Sequence, residues 1–148
     1  MKALIIYDTK YGNTKKVAEL IGDGLKTVEE NVITVENVKE VDLNKDETYD
    51  LILFGSPNHM GAHTTNVKKF IKNLSKVSVK GKSFAVFDTY MGKDFEKAVK
   101  KMEKQINKVM PNLNKLSPGL SIKVGGMKGP IVNEDLPKCK EFGIKLAK

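Results

Sequence analysis

The chain has 148 residues, with 26 basic and 18 acidic side chains and a net charge of +8. That length suits one domain spanning residues 1–148, and 40% hydrophobic with 30% charged residues describes a soluble globular chain rather than a disordered one. A single cysteine excludes an internal disulfide or a cysteine cage for metal, and no apolar run approaches the ~20 residues of a membrane span. The start, Met1 to Asp8, is too short an apolar run for a secretory signal, so a cytoplasmic location is expected.

Every basic residue is lysine. Residues 1–66 hold 7 lysines and 11 acids, a net of −4, and residues 67–148 hold 19 lysines and 7 acids, a net of +12. The absence of arginine argues against base-specific nucleic-acid reading, where the bidentate guanidinium is the commonest tool. Lysine on helices is the ordinary way to solvate a surface. The functional alternative is an acidic protein docking on the basic half.

Lys2–Asp8 reads as a strand buried on both faces, because Ala3-Leu4-Ile5-Ile6-Tyr7 does not alternate. Asn13–Leu25 reads as a helix with Val17, Leu20, Ile21 and Leu25 on one stripe and Asn13 or Thr14 as its cap. Val32–Val35 is a second strand. Glu36–Tyr49 is a polar connection with room for one helical turn. Leu51–Phe54 is a third strand, expected to stop at Gly55-Ser56-Pro57. Thr65–Ser75 is a helix presenting Val67, Phe70, Ile71 and Leu74. Ser83–Phe87 is a fourth strand ending at Asp88.

Asp94–Met110 is the clearest helix. Phe95, Ala98, Val99, Met102, Ile106 and Val109 face inward, Lys97, Lys100, Lys101, Lys104 and Lys108 face water, and Pro111 stops it. Leu120–Val124 is a fifth strand. Glu134–Ala147 is the last helix, with Leu136, Cys139, Phe142, Gly143 and Leu146 inward. Continuous apolar strands alternating with amphipathic helices predict an α/β, three-layer, doubly wound sandwich around a five-stranded parallel sheet.

In such a sheet ligands bind beyond the carboxyl ends of the strands. Three segments lie there: Thr9 to Thr14 after Asp8, Ser56 to Gly61, and Asp88 to Gly92. The first joins a buried strand to a helix N-terminus, whose unpaired N–H groups and dipole favour an anion. Thr9, Asn13 and Thr14 add side-chain donors, and Gly12 permits close approach. Either a phosphate nest or a plain turn with a helix cap fits these residues. Neither G-x-x-x-x-G-K-[ST] nor G-x-G-x-x-G is present, which disfavours an ATPase and a nicotinamide dehydrogenase. His59 and His63 stand in a loop with no nearby Cys, Asp or Glu, so no metal is expected. Cys139 reads as a packed apolar residue, and no catalytic triad is suggested.

Thr9-Lys10-Tyr11-Gly12-Asn13-Thr14 following Leu4-Ile5-Ile6-Tyr7 resembles the phosphate loop of the flavodoxin family. The similarity extends through length, element order and all three loops, and Gly129-Pro130-Ile131 through Phe142-Gly143 resembles the last helix of flavodoxin modules. The resemblance implies strand order 2-1-3-4-5 and flavin mononucleotide (FMN) where that order reverses. It gives the phosphate to Thr9, Lys10, Tyr11, Gly12, Asn13 and Thr14. It places Ser56, Pro57, Asn58, His59, Met60 and Gly61 on one side of the isoalloxazine ring. Asp88, Thr89, Tyr90, Met91 and Gly92 take the other, with Tyr90 the candidate for stacking.

It also implies a peptide flip in the middle loop, at Gly61 or at the Asn58–His59 peptide. The implied activity is single-electron shuttling between redox partner proteins by a monomer that binds no nucleic acid and inserts into no membrane. The alternatives are a flavodoxin-like quinone or protoporphyrinogen dehydrogenase and a non-flavin signalling or binding module. A signalling receiver needs a clustered acidic pocket, which Asp8, Asp50 and Asp88 do not make. The chain departs from the family's usual pattern in its Lys10-Tyr11 pair, its lack of tryptophan and its positive charge.

Overall fold

A computed structural model describes residues 1–77 and 80–148. In chain order the elements are β1 (Lys2–Tyr7), α1 (Asn13–Leu25), β2 (Val32–Asn37), β3 (Thr48–Pro57), α2 (Thr65–Leu74), β4 (Lys80–Tyr90), α3 (Lys97–Val109), β5 (Asn114–Lys115), β6 (Leu120–Lys123) and α4 (Leu136–Leu146). All pairings between these strands are parallel, in the order β2-β1-β3-β4 with β5 and β6 both on the far edge of β4.

The expected fifth strand is thus two pieces in one position. Asn114 and Lys115 pair with Ser83 and Phe84, and Leu120–Lys123 pair with Phe87–Tyr90. Between them lie Ser117 and Pro118, and a proline offers no N–H to a ladder. The sheet keeps the 2-1-3-4-5 arrangement, its last position interrupted.

Alternate residues of the inner strands feed two cores, as a sheet covered on both faces requires. Ala3, Ile5, Tyr7, Leu51, Leu53, Ala85 and Phe87 pack beneath α1 and α4, against Val17, Ile21, Leu25, Cys139 and Phe142. Leu4, Ile6, Ile52, Phe54, Phe84 and Val86 pack beneath α2 and α3, against Val67, Phe70, Ile71, Val99, Met102 and Ile106. Burying each such large apolar side chain contributes roughly 1.5–3 kcal/mol.

Four local expectations need correction. β3 does not stop before Pro57, which pairs with Thr89. Along β3, Gly55 faces β1 (its carbonyl accepts from the Asp8 N–H at 3.1 Å) and Asn58 faces β4 (its N–H donates to Thr89 O at 2.7 Å). Pro57 therefore faces the β1 side, where β1 has already ended, and its missing N–H costs nothing. α3 starts at Lys97, three residues late, because Glu96 takes a left-handed conformation (φ 62°) and Phe95 stays 56% exposed instead of entering the core. α1 is capped by Gly12 without a side-chain cap, not by Asn13 or Thr14. The stretch between β2 and β3 forms turns rather than a helical turn.

Candidate functional site

The carboxyl ends of β1, β3 and β4 open into a cleft of about 640 Å³. The first loop supplies Thr9, Lys10, Tyr11, Asn13 and Thr14, the second Pro57, Asn58, His59 and Met60, and the third Thr89, Tyr90 and Met91. All three predicted segments meet in one place. Gly12, Gly61 and Gly92 shape the loops at φ of 94°, 81° and 62° without lining the cleft, and Ser56 and Asp88 lie buried behind its wall.

The first loop is built to leave donors open. The first helical bond of α1 runs from the Lys16 N–H to Gly12 O, at 3.1 Å. The N–H groups of Asn13, Thr14 and Lys15 precede it and have no intrahelical acceptor. Gly12 itself donates to Thr9 Oγ1 at 2.9 Å, which folds the loop into a concave turn. Its φ of 94° suits glycine, and nothing lies within 4 Å of where a Cβ would stand. The buried Thr14 hydroxyl meets the Thr89 hydroxyl at 2.9 Å, tying the first loop to the third. Whichever of the two donates, the other retains a proton for a ligand.

The second loop is held at both ends. Ser56 Oγ accepts from the Thr64 N–H at 2.9 Å, and Thr64 caps α2 by accepting from the Val67 N–H. Between them His59 and Ala62 exchange backbone bonds of 2.7 and 3.1 Å around Met60 and Gly61. Both central residues have positive φ, 53° and 81°, the signature of a type I′ turn, and Met60 is left 90% exposed. Asn58 donates to Asp94 Oδ2 at 2.8 Å, which fixes the orientation of its amide. Its own Oδ1 is buried in the cleft wall without a donor. An orphan acceptor of that kind is costly unless a ligand N–H completes it.

The third loop rests on Asp88. Its side chain accepts from Ser121 Oγ at 2.6 Å and from the Val99 N–H at 3.0 Å, joining β4 to β6 and to the first turn of α3. Burial outweighs those bonds and pushes its pKa up to about 6. Asp88 is a brace under the site and does not line it. Tyr90 stands half-buried at the cleft, edge-on to Phe95 with ring centroids 5.6 Å apart, and burial raises its phenol pKa.

Some cleft residues were not singled out from sequence as site residues. Asp8 is buried and accepts from the Thr9 N–H, Thr64 Oγ1 and Asn66 Nδ2 at 3.0, 2.7 and 3.3 Å, so it ties the first loop to α2. Lys39 and Asn66 arrive from neighbouring elements, Asp94 from the approach to α3, and Val124 and Met127 from the turn after β6. Asp8 was legible as a strand-end acid; the others come together only through the fold. His63, in the loop just before the α2 cap, is 4% exposed and bonds Gln105 at 2.7 Å.

Residues 4–121 match the family described as a flavodoxin domain. The chain belongs to the flavodoxin family. A flavodoxin of Aquifex aeolicus is 36% identical over 73 residues, 49% of this chain and 40% of that one. An uncharacterized protein of Methanocaldococcus jannaschii is 30% identical over a 155-residue alignment covering all of this chain and 99% of that one. In these matches the chain spans 40% of the first relative's length and nearly all of the second's. Among solved structures, a flavodoxin from the domain Archaea superposes with a TM-score of 0.82 at 28% identity, covering 99% of this chain and 96% of the other. The parallel sheet and its strand order are those of the flavodoxin-like fold.

Proposed function

We propose that this flavodoxin-family chain binds FMN in the cleft and carries single electrons between redox partner proteins in the cytoplasm. The observation that supports it best is the juxtaposition of an open anion-accepting helix start with a cleft large enough for a flat heterocycle. Several features fit the group: the free N–H donors of Asn13, Thr14 and Lys15, the threonine hydroxyls, the cationic Lys10 at the mouth, and the orphan Asn58 Oδ1, suited to a ring N–H.

FMN, when bound, supplies the reversible one-electron redox chemistry. The chain's residues do the rest. Thr9 to Thr14 would hold the phosphate dianion, with Gly12 leaving room for it. Pro57, Asn58, His59 and Met60 would form one wall beside the ring, and Thr89, Tyr90 and Met91 the other, with Tyr90 held edge-on by Phe95. The Met60–Gly61 turn already uses positive φ at both centres, so Gly61 can rotate its peptide with little steric resistance. Among the described residues no helix is long and apolar enough to cross a membrane.

Titrating FMN into the purified chain and following flavin fluorescence tests the reading. Stoichiometric quenching by FMN, with clearly weaker quenching by riboflavin, supports it, because only the phosphate addresses Thr9 to Thr14. No quenching by either sinks it. Turnover of a quinone by the loaded chain would favour the dehydrogenase alternative.

A further inference from the structure

The charge of this molecule belongs to one of its layers. Within α2 and α3 there are eight lysines (Lys68, Lys69, Lys72, Lys97, Lys100, Lys101, Lys104, Lys108) and one acid, Glu103, a net of +7. Glu103 is mostly buried and answers Lys115 at 3.5 Å. Within α1 and α4, on the opposite face, five lysines meet three acids, a net of +2. Solubility alone asks only for charge, of either sign and on any face.

A second observation lies where that layer reaches the cleft. Of the seven large apolar side chains left exposed among the described residues, four line the cleft (Tyr11, Met60, Met91 and Met127), and a fifth, Phe95, packs against Tyr90 in its wall. α2 and α3 both begin at this end, next to the second and third loops. The nearby acids are largely spoken for: Asp94 is paired with Lys97 at 2.9 Å, and Glu96 is half-buried. An apolar, methionine-rich centre bordered by cationic side chains has the anatomy of a protein interface.

We propose that the α2–α3 face and the apolar rim of the cleft dock an acidic partner protein. The proposal rests on the electron-carrier reading for the reason a partner approaches this end. Charge complementarity selects an acidic partner and disfavours a basic one. A nucleic acid would use arginine and exposed aromatics, and the lysine face carries neither: the one aromatic of the two helices, Phe70, is buried. A membrane would use apolar side chains among the lysines, and within α2 and α3 no large apolar side chain is exposed.

The test uses the FMN-loaded chain and a strongly acidic plant-type ferredoxin as probe, with a basic c-type cytochrome, phosphatidylglycerol vesicles and a single-stranded oligonucleotide in parallel. Calorimetric binding to the ferredoxin should be measurable at about 20 mM salt and weaken at least about tenfold by about 150 mM. Reversing Lys100→Glu, Lys101→Glu and Lys104→Glu together should weaken it about tenfold. The same charge change on the other layer, Lys26→Glu, Lys140→Glu and Lys145→Glu, should weaken it less than about threefold. Phe95→Ala should weaken it several-fold with an unchanged salt slope.

FMN quenching is measured on every variant, so a failed flavin reading shows as lost quenching and is distinct from failed docking. With quenching intact, three results overturn the proposal: no ferredoxin binding at low salt, equal losses from the two triple variants, or tighter α2–α3-dependent binding to the cytochrome, vesicles or oligonucleotide.

Discussion

Two buried titratable groups pull the stability of this protein in opposite directions as pH changes. Asp88 has its pKa raised to about 6 by burial, so the folded state holds its proton more tightly than the unfolded chain does. Stability from this group is greatest at acid pH and falls as pH rises from about 4 through about 6, by about 3 kcal/mol from the size of the shift. His63 is lowered below 6.5, chiefly by burial, so the folded state resists its protonation and stability is lost as pH falls below 6.5. Asp88→Asn keeps a carbonyl for the Val99 N–H and removes the first slope. Urea melts at pH 4 and pH 7 should show the variant gaining stability relative to wild type at pH 7 and little at pH 4.

A second residue-scale expectation concerns Gly12. Gly12→Ala meets no steric obstacle but forces an L-residue to φ 94°, at a cost of roughly 1–2 kcal/mol in stability. Its methyl would also stand at the loop proposed to receive the phosphate, so FMN affinity should fall more than riboflavin affinity. Equal losses for the two ligands would place the phosphate elsewhere.

At the scale of elements, α1 and α4 pack backbone against backbone. A Cβ on Gly143 would overlap the Ile21 carbonyl oxygen, and one on Gly24 would overlap the Lys140 carbonyl. Backbone oxygens cannot turn aside as a side-chain tip can. Gly143→Ala should therefore cost roughly 1–3 kcal/mol or more, read from denaturant midpoints. Gly143 was visible on the inner stripe of α4, but its partner Gly24 was not, since no single-helix pattern says which two faces will touch.

The same limit explains the boundary errors. Asn13–Leu25 was recoverable because its apolar period is unbroken and glycine precedes it. Phe95 sits at the right interval for the α3 stripe, yet Glu96 breaks the helix before it, donating its N–H to Ser121 of β6 at 2.9 Å. That bond is tertiary and leaves no local trace. Likewise Pro57 signals the end of a strand unless one knows that the neighbouring strand has already stopped. The three loops were legible as a site because the rule for doubly wound sheets is topological. Lys39, Asn66 and Met127 were not, because they reach the cleft from segments with no signature of their own.

For the whole molecule, the cleft gathers loops from three adjacent strands and contacts from both helical layers, so a ligand there couples most of the fold. Binding only the folded state stabilises it by RT ln(1 + [L]/Kd), about 2.7 kcal/mol at a hundredfold excess over Kd. For a chain of this size that corresponds to a rise in Tm of roughly 5–11 °C. Differential scanning calorimetry with FMN should show it, and riboflavin at the same concentration should give a smaller rise. A shift below about 1 °C at saturating FMN would mean that the flavin does not address the native cleft.

The methionine rim carries a chemical liability of its own. Met60, Met91 and Met127 are exposed, whereas Met102 is sealed in the core. Peroxide converts an accessible thioether into a polar, chiral sulfoxide, which only a dedicated reductase reverses. Mass mapping after mild peroxide should find these three modified well before Met102. Oxidative stress would thus roughen the rim of the cleft with hydrophilic groups while leaving the protein's interior intact.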